Sequence, residues 1–184
     1  MNTTLFQRIH NSVWAFRAYM DTHSPWITPP QYQSLRFCVT ESSEILDARQ
    51  RESPEFARNN NKDKNTTDEC GDFVLMGVSA LGKDYKFTVQ ELGIDLSLSH
   101  DELIDEIGWC AANALHFFNI AQNARSESPF LNNQWVSWTL KGLAYAELYV
   151  GDSVEQVVID RMRRILGKYC KNITLEEIIG VTNA

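Results

Sequence analysis

A chain of 184 residues, 43% hydrophobic and 22% charged, is long enough for one substantial core and has the composition of an ordinary globular domain. Its net charge of −7 argues against sequence-independent binding to nucleic acid, which depends on Lys and Arg neutralising phosphates. No apolar run reaches membrane-spanning length, and the N-terminal MNTTLFQRIH lacks the basic-then-apolar pattern of an export signal. The expectation is a cytoplasmic protein with neither nucleic acid nor membrane as a partner.

Leu5, Ile9, Val13, Phe16 and Met20 recur at helical spacing and predict a first helix over residues 4–20. DTHSPWITPP, residues 21–30, breaks it, and Pro30 can open a second helix over about 31–50. Residues 52–65 are polar, rich in Asn and Lys, and read as a loop. A third helix runs from near Thr66 to near Gly82, which suits a C-terminal cap. Residues 83–98 read as an irregular connection. Ser99 with Glu102 forms a capping-box pattern that opens a fourth helix to about Asn123. A loop at 124–133, a fifth helix over roughly 132–149 ending at Gly151, and a sixth from Asp152 and Glu155 to about Tyr169 follow. A last helical turn is expected at 174–179. No segment alternates apolar and polar residues over a strand's length. The class is all-α, a helical bundle in one domain, with 83–130 as a candidate insertion on a smaller four-helix core.

Cys38, Cys70, Cys110 and Cys170 have no CxxC spacing, and three lie in apolar runs, so they read as reduced thiols. The histidines at 10, 23, 100 and 116 form no HxxxH pair and read as structural or exposed. The sequons at Asn2, Asn65 and Asn172 carry no weight without an export signal.

Two carboxylate pairs hold the chemistry. Glu41 and Glu44, in ESSEILDA, are three apart; so are Glu69 and Asp72, in DECGDFVLM. Helical residues three apart share a face. Two such faces brought together surround one point with oxygens, the donor set of a hard cation such as Mg²⁺ or Mn²⁺. Glu41 and Glu44 border the apolar stripe of their helix, which predicts partial burial. The third helix has no charge from Phe73 to Gly82 and is apolar all round, which predicts burial in its own subunit or at an oligomer interface. Glu69 and Asp72 lead into that interior, and unpartnered buried charges are costly. Plainer roles exist: Glu69 follows Thr66 by three and could complete a capping box. The cluster Asp101, Glu102, Asp105 and Glu106 reads as a solvated helix start.

ExxE, a spacer, then ExxD with a glycine before the aspartate and an apolar helix after it, resembles the signature of the all-α nucleoside triphosphate pyrophosphohydrolases, the MazG-like proteins and dimeric dUTPases. The resemblance covers roughly residues 31–82, and GDSVEQVVIDRMRRI is loosely similar to the family's closing helix. It implies hydrolysis of a (d)NTP to monophosphate and diphosphate with Mg²⁺ or Mn²⁺. It implies metal ligation by Glu41, Glu44, Glu69 and Asp72, with a glutamate such as Glu41 or Glu44 activating water. It implies a homodimer or homotetramer. Where MazG-like proteins often carry another glutamate before the first motif, this chain has Thr40, which leaves the general base open. Some phage-encoded relatives, working in the host cytoplasm, prefer guanine nucleotides.

Lys62 and Lys64, or Arg161, Arg163 and Arg164, are candidate phosphate contacts. Trp14, Trp109, Asn113 and Phe117 are candidates for a base pocket. The alternatives are a dUTP pyrophosphatase and a non-catalytic helical protein whose carboxylates bind metal structurally or cap helices.

Overall fold

A computed structural model describes residues 1–25, 27–52, 65–124 and 128–180. Among them the chain is all-α, as its apolar spacing predicts, with no strand. Helix α1 spans Thr3–His23, with the Asn2 side chain accepting from the Leu5 N–H at 3.0 Å. Helix α2, Gln31–Glu52, starts directly after Pro30. Helix α3, Thr66–Leu81, is capped by Asn65, which forms a capping box with Asp68. The alternative box from Thr66 to Glu69 is therefore not the one used, and Glu69 is released from that role. Helix α4, His100–Asn123, opens with the expected box of Ser99 and Glu102. Helix α5, Pro129–Val150, starts earlier than its apolar pattern suggests, because Pro129 supplies a pre-set first helical residue and Ser128 caps it. One 3₁₀ turn, Gly151–Ser153, leads into α6, Val154–Tyr169. Helix α7 spans Leu175–Gly180, where Thr174 and Glu177 bond each other's backbone N–H groups at 2.7 and 3.3 Å. Residues 83–99 have no regular structure; they cross α1, where Phe87 stacks on Phe6 and its N–H donates to Gln7.

The packing partners explain the apolar character of α3. Helices α2, α4, α5 and α3 close a four-helix ring, with α4 against α5 as its most extensive pair. Helices α1 and α6 pack on the far side of α3, and α7 rests on α1 and α6. A helix with neighbours all round has no solvated face, so Phe73, Val74, Leu75, Val78 and Ala80 are all buried. Two glycines let the neighbours come close. A Cβ on Gly77 would lie 2.9 Å from Leu143 of α5, and one on Gly71 would lie 2.6 Å from Val157 of α6. One chain therefore buries α3 without needing an oligomer interface.

Cys38, Cys70 and Cys110 are buried free thiols, and burial pushes Cys70 and Cys110 up to about 12. Arg17 of α1 is also fully buried; its Nε donates to Ser79 Oγ at 2.6 Å, and burial pulls its pKa down to about 10. Among the described residues no helix is long and apolar enough to cross a membrane.

Candidate functional site

The carboxylates converge where α2 meets the first turns of α3. One oxygen from each of Glu41, Glu69 and Asp72 lies within 4.8 Å of the others. The rotation of α2 decides which of its glutamates takes part. Its buried residues are Ser34, Leu35, Cys38, Ser42, Ile45 and Ala48. At 3.6 residues per turn, Glu41 falls about 60° round from Cys38 and Glu44 about 120°. Glu41 is accordingly half-buried beside the core, whereas Glu44 is exposed and outside this group. The expected partial burial holds for the first glutamate and not for the second.

Glu69 and Asp72 occupy the first two turns of α3, where the helix dipole favours negative charge. They are only 4% and 2% exposed. Burial of two carboxylates beside a third requires positive charge nearby. Helix α6 supplies some of it. Arg161 forms an ion pair through Nε with Asp72 Oδ1, and Arg164 pairs with Asp68 at 3.0 Å. The close approach at Gly71 makes this pairing reachable, because Val157 and Arg161 are one turn apart on the same side of α6. Beside the pairs lies a groove of about 150 Å³ lined by Arg161, Arg164, Ile165, Lys168 and Tyr169. An acidic cluster and a basic groove thus share Arg161 as their common wall.

The donor set fits a hard divalent cation. Mg²⁺ holds oxygens at about 2.1 Å, so ligands on opposite sides stand about 4.2 Å apart. Three carboxylate oxygens already within 4.8 Å of one another have only to draw closer to take places round one ion, with at most one pair of them opposite.

The other candidates are more scattered. Lys62 and Lys64 lie outside the described residues. Arg163 faces solvent and pairs with Asp160 and Glu176. Trp14, half-buried on α1, sits beside His10. Trp109 on α4 is 61% exposed, and Asn113 donates to the Trp109 carbonyl of the same helix at 2.8 Å. Phe117 packs at the edge of the core, next to His116. Helix α1 packs on α3, α6 and α7, whereas α4 packs on α2 and α5, so these residues do not form one pocket.

The sequence did not rank Arg161 above Arg163 and Arg164. A signal was present: Arg161 follows Val157 and Val158 at helical spacing and so borders the buried stripe of α6. Compared with models of known protein families, with curated proteins and with solved structures, the chain finds no match.

Proposed function

We propose that the protein is a Mg²⁺- or Mn²⁺-dependent nucleoside triphosphate pyrophosphohydrolase, converting a (d)NTP and water to a (d)NMP and diphosphate. One observation carries this reading: three carboxylates from two helices, two of them almost fully buried, come within 4.8 Å of one another. Their ExxE and ExxD settings are those that resemble the all-α pyrophosphohydrolases. When bound, the cation would neutralise phosphate oxygens and lower the pKa of a coordinated water.

The chain's own residues divide the remaining work. Glu41, Glu69 and Asp72 hold the cation. Glu41, the least buried of the three, would accept the proton of the attacking water. Arg164 and Lys168 line the neighbouring groove and would meet the oxygens of the departing diphosphate.

The test is product analysis. Purified protein with Mg²⁺ and each of the eight common (d)NTPs, followed by phosphorus NMR, should yield monophosphate and diphosphate from at least one nucleotide. A guanine preference or strict use of dUTP would assign the base. Orthophosphate as the product, or no turnover of any nucleotide, defeats the reading. One observation favours the non-catalytic alternative: Arg161 already neutralises part of the cluster, as in a structural ion pair. That alternative requires a non-hydrolysable nucleotide to add nothing to the stability measured with Mn²⁺ alone, since a ligand that binds only the native state raises the melting temperature.

A further inference from the structure

We infer that Arg161 is a built-in rival of the divalent cation: its guanidinium and the ion compete for Asp72, and metal uptake drives Arg161 into the groove beside Arg164 and Lys168. The inference rests on the metal reading of the carboxylates and concerns how that site is regulated.

Asp72 is the point of competition. It belongs to the group of three converging carboxylates, and it is also the partner of Arg161. A guanidinium paired with Asp72 brings a full positive charge to where a divalent ion would add two more. In a partly buried setting such like-charge repulsion is weakly screened. The two cations therefore exclude each other.

Which partner yields is set by exposure. Asp72 is 2% exposed and held in the first turns of a fully surrounded helix. Arg161 is 28% exposed, on a long flexible side chain. It already lines the groove with Arg164, Lys168 and Tyr169, so a change of rotamer carries it there without moving α6. Its arrival would place it beside Lys168 and beside Arg164, whose charge Asp68 already balances in part, and a bound anion would relieve the crowding that remains. Metal and phosphate-bearing ligand would then favour each other's binding, because each stabilises the same position of Arg161.

The experiment uses the full chain and Mn²⁺ or Mg²⁺ alone. Free Mn²⁺ is measured by electron paramagnetic resonance for wild type, Arg161→Gln and Arg161→Lys. The Nε–Hε signal of Arg161 is followed by NMR during a Mg²⁺ titration. Arg161→Gln is expected to bind Mn²⁺ at least about tenfold more tightly than wild type. Arg161→Lys, which keeps the charge, should remain near wild type. The Arg161 signal should shift and exchange faster with water as Mg²⁺ saturates. Equal or weaker Mn²⁺ binding by a folded Arg161→Gln overturns the inference. If that variant does not fold, an Arg161 signal unmoved at saturating Mg²⁺ overturns it instead. Binding by Arg161→Gln but not by wild type supports it in its strongest form. Binding by neither protein removes the metal reading itself, and this inference with it.

Discussion

Helices α3 and α4 begin alike and end up chemically unlike. Each opens with a capping box, Asn65 with Asp68 and Ser99 with Glu102, and each carries further acids in its first two turns. In α4 these are Asp101, Asp105 and Glu106. Asp101 reaches Arg49 at 2.8 Å from an exposed position, and Asp105 faces water. In α3 they are Glu69 and Asp72, both buried, with Glu41 of α2 brought up on one side and Arg161 of α6 on the other. Spacing along one helix thus does not make a site. What a second and a third helix place opposite it does.

The largest expected difference follows from that contrast. Glu41→Gln and Asp72→Asn should each lower Mn²⁺ affinity by about a hundredfold or more, since loss of a ligand exceeds the effect of losing its supporting contacts. Asp105→Asn should leave affinity unchanged. Titration calorimetry with Mn²⁺ makes the comparison, and a similar loss in Asp105→Asn would erase the distinction between the two helix starts. Glu44→Gln sharpens it further. Its exposed position predicts near-normal Mn²⁺ binding. Loss as severe as in Glu41→Gln would restore the four-ligand cage that the motif resemblance implies.

Next comes the helix contact that brings Arg161 to Asp72. A methyl at Gly71 meets Val157 Cγ1 at 2.6 Å and the Val157 carbonyl at 3.3 Å, and backbone cannot give way as a side-chain tip can. Gly71→Ala should destabilise the fold by about 1–3 kcal/mol. On the other helix of the pair, a Cβ at Gly167 meets nothing within 4 Å. Gly167→Ala should stabilise by about 0.4–1 kcal/mol, because it restricts the unfolded chain and fits a helix. Urea denaturation followed by circular dichroism separates the two signs. A neutral Gly71→Ala would show that α6 can slide without penalty.

How far the sequence discloses this arrangement depends on the residue. Helix starts are written locally: Ser99 with Glu102 identifies the beginning of α4 without any knowledge of the rest. The burial of α3 is equally legible, because ten residues without charge cannot face water on any side. Glu41 and Glu44 are harder. Both border the apolar stripe, and only the position of α3 fixes the centre of the buried face, which separates them. The partnership of Asp72 with Arg161 joins residues far apart in sequence and depends on a glycine whose use appears only once α6 is docked. The cap of α3 shows the same limit: Thr66 and Asn65 both qualify as cap residues, and the chain uses Asn65.

The two caps provide a finer test. Asn65→Ala and Ser99→Ala should each cost about 1 kcal/mol, the usual value for a lost N-cap. Only Asn65→Ala should also weaken Mn²⁺ binding, because Glu69 and Asp72 lie within the turns that would fray. Equal Mn²⁺ affinity in both variants would mean that the carboxylates are held by tertiary packing alone.

The smallest effect concerns acid. Side-chain and backbone hydrogen bonds from Ser99 hold the Glu102 carboxyl below its ordinary value of 4.5. A depressed folded value means that the unfolded chain binds the proton more readily. The contribution is therefore complete above about pH 4.5 and is lost as pH falls through the folded value. Glu102→Gln removes that titrating group, so the melting temperatures of wild type and variant should converge as pH drops from 5 toward 3. A constant difference across that range would show that the exposed box at α4 stabilises by packing rather than by charge, and it would narrow the contrast with the buried acids of α3 to their neighbours alone.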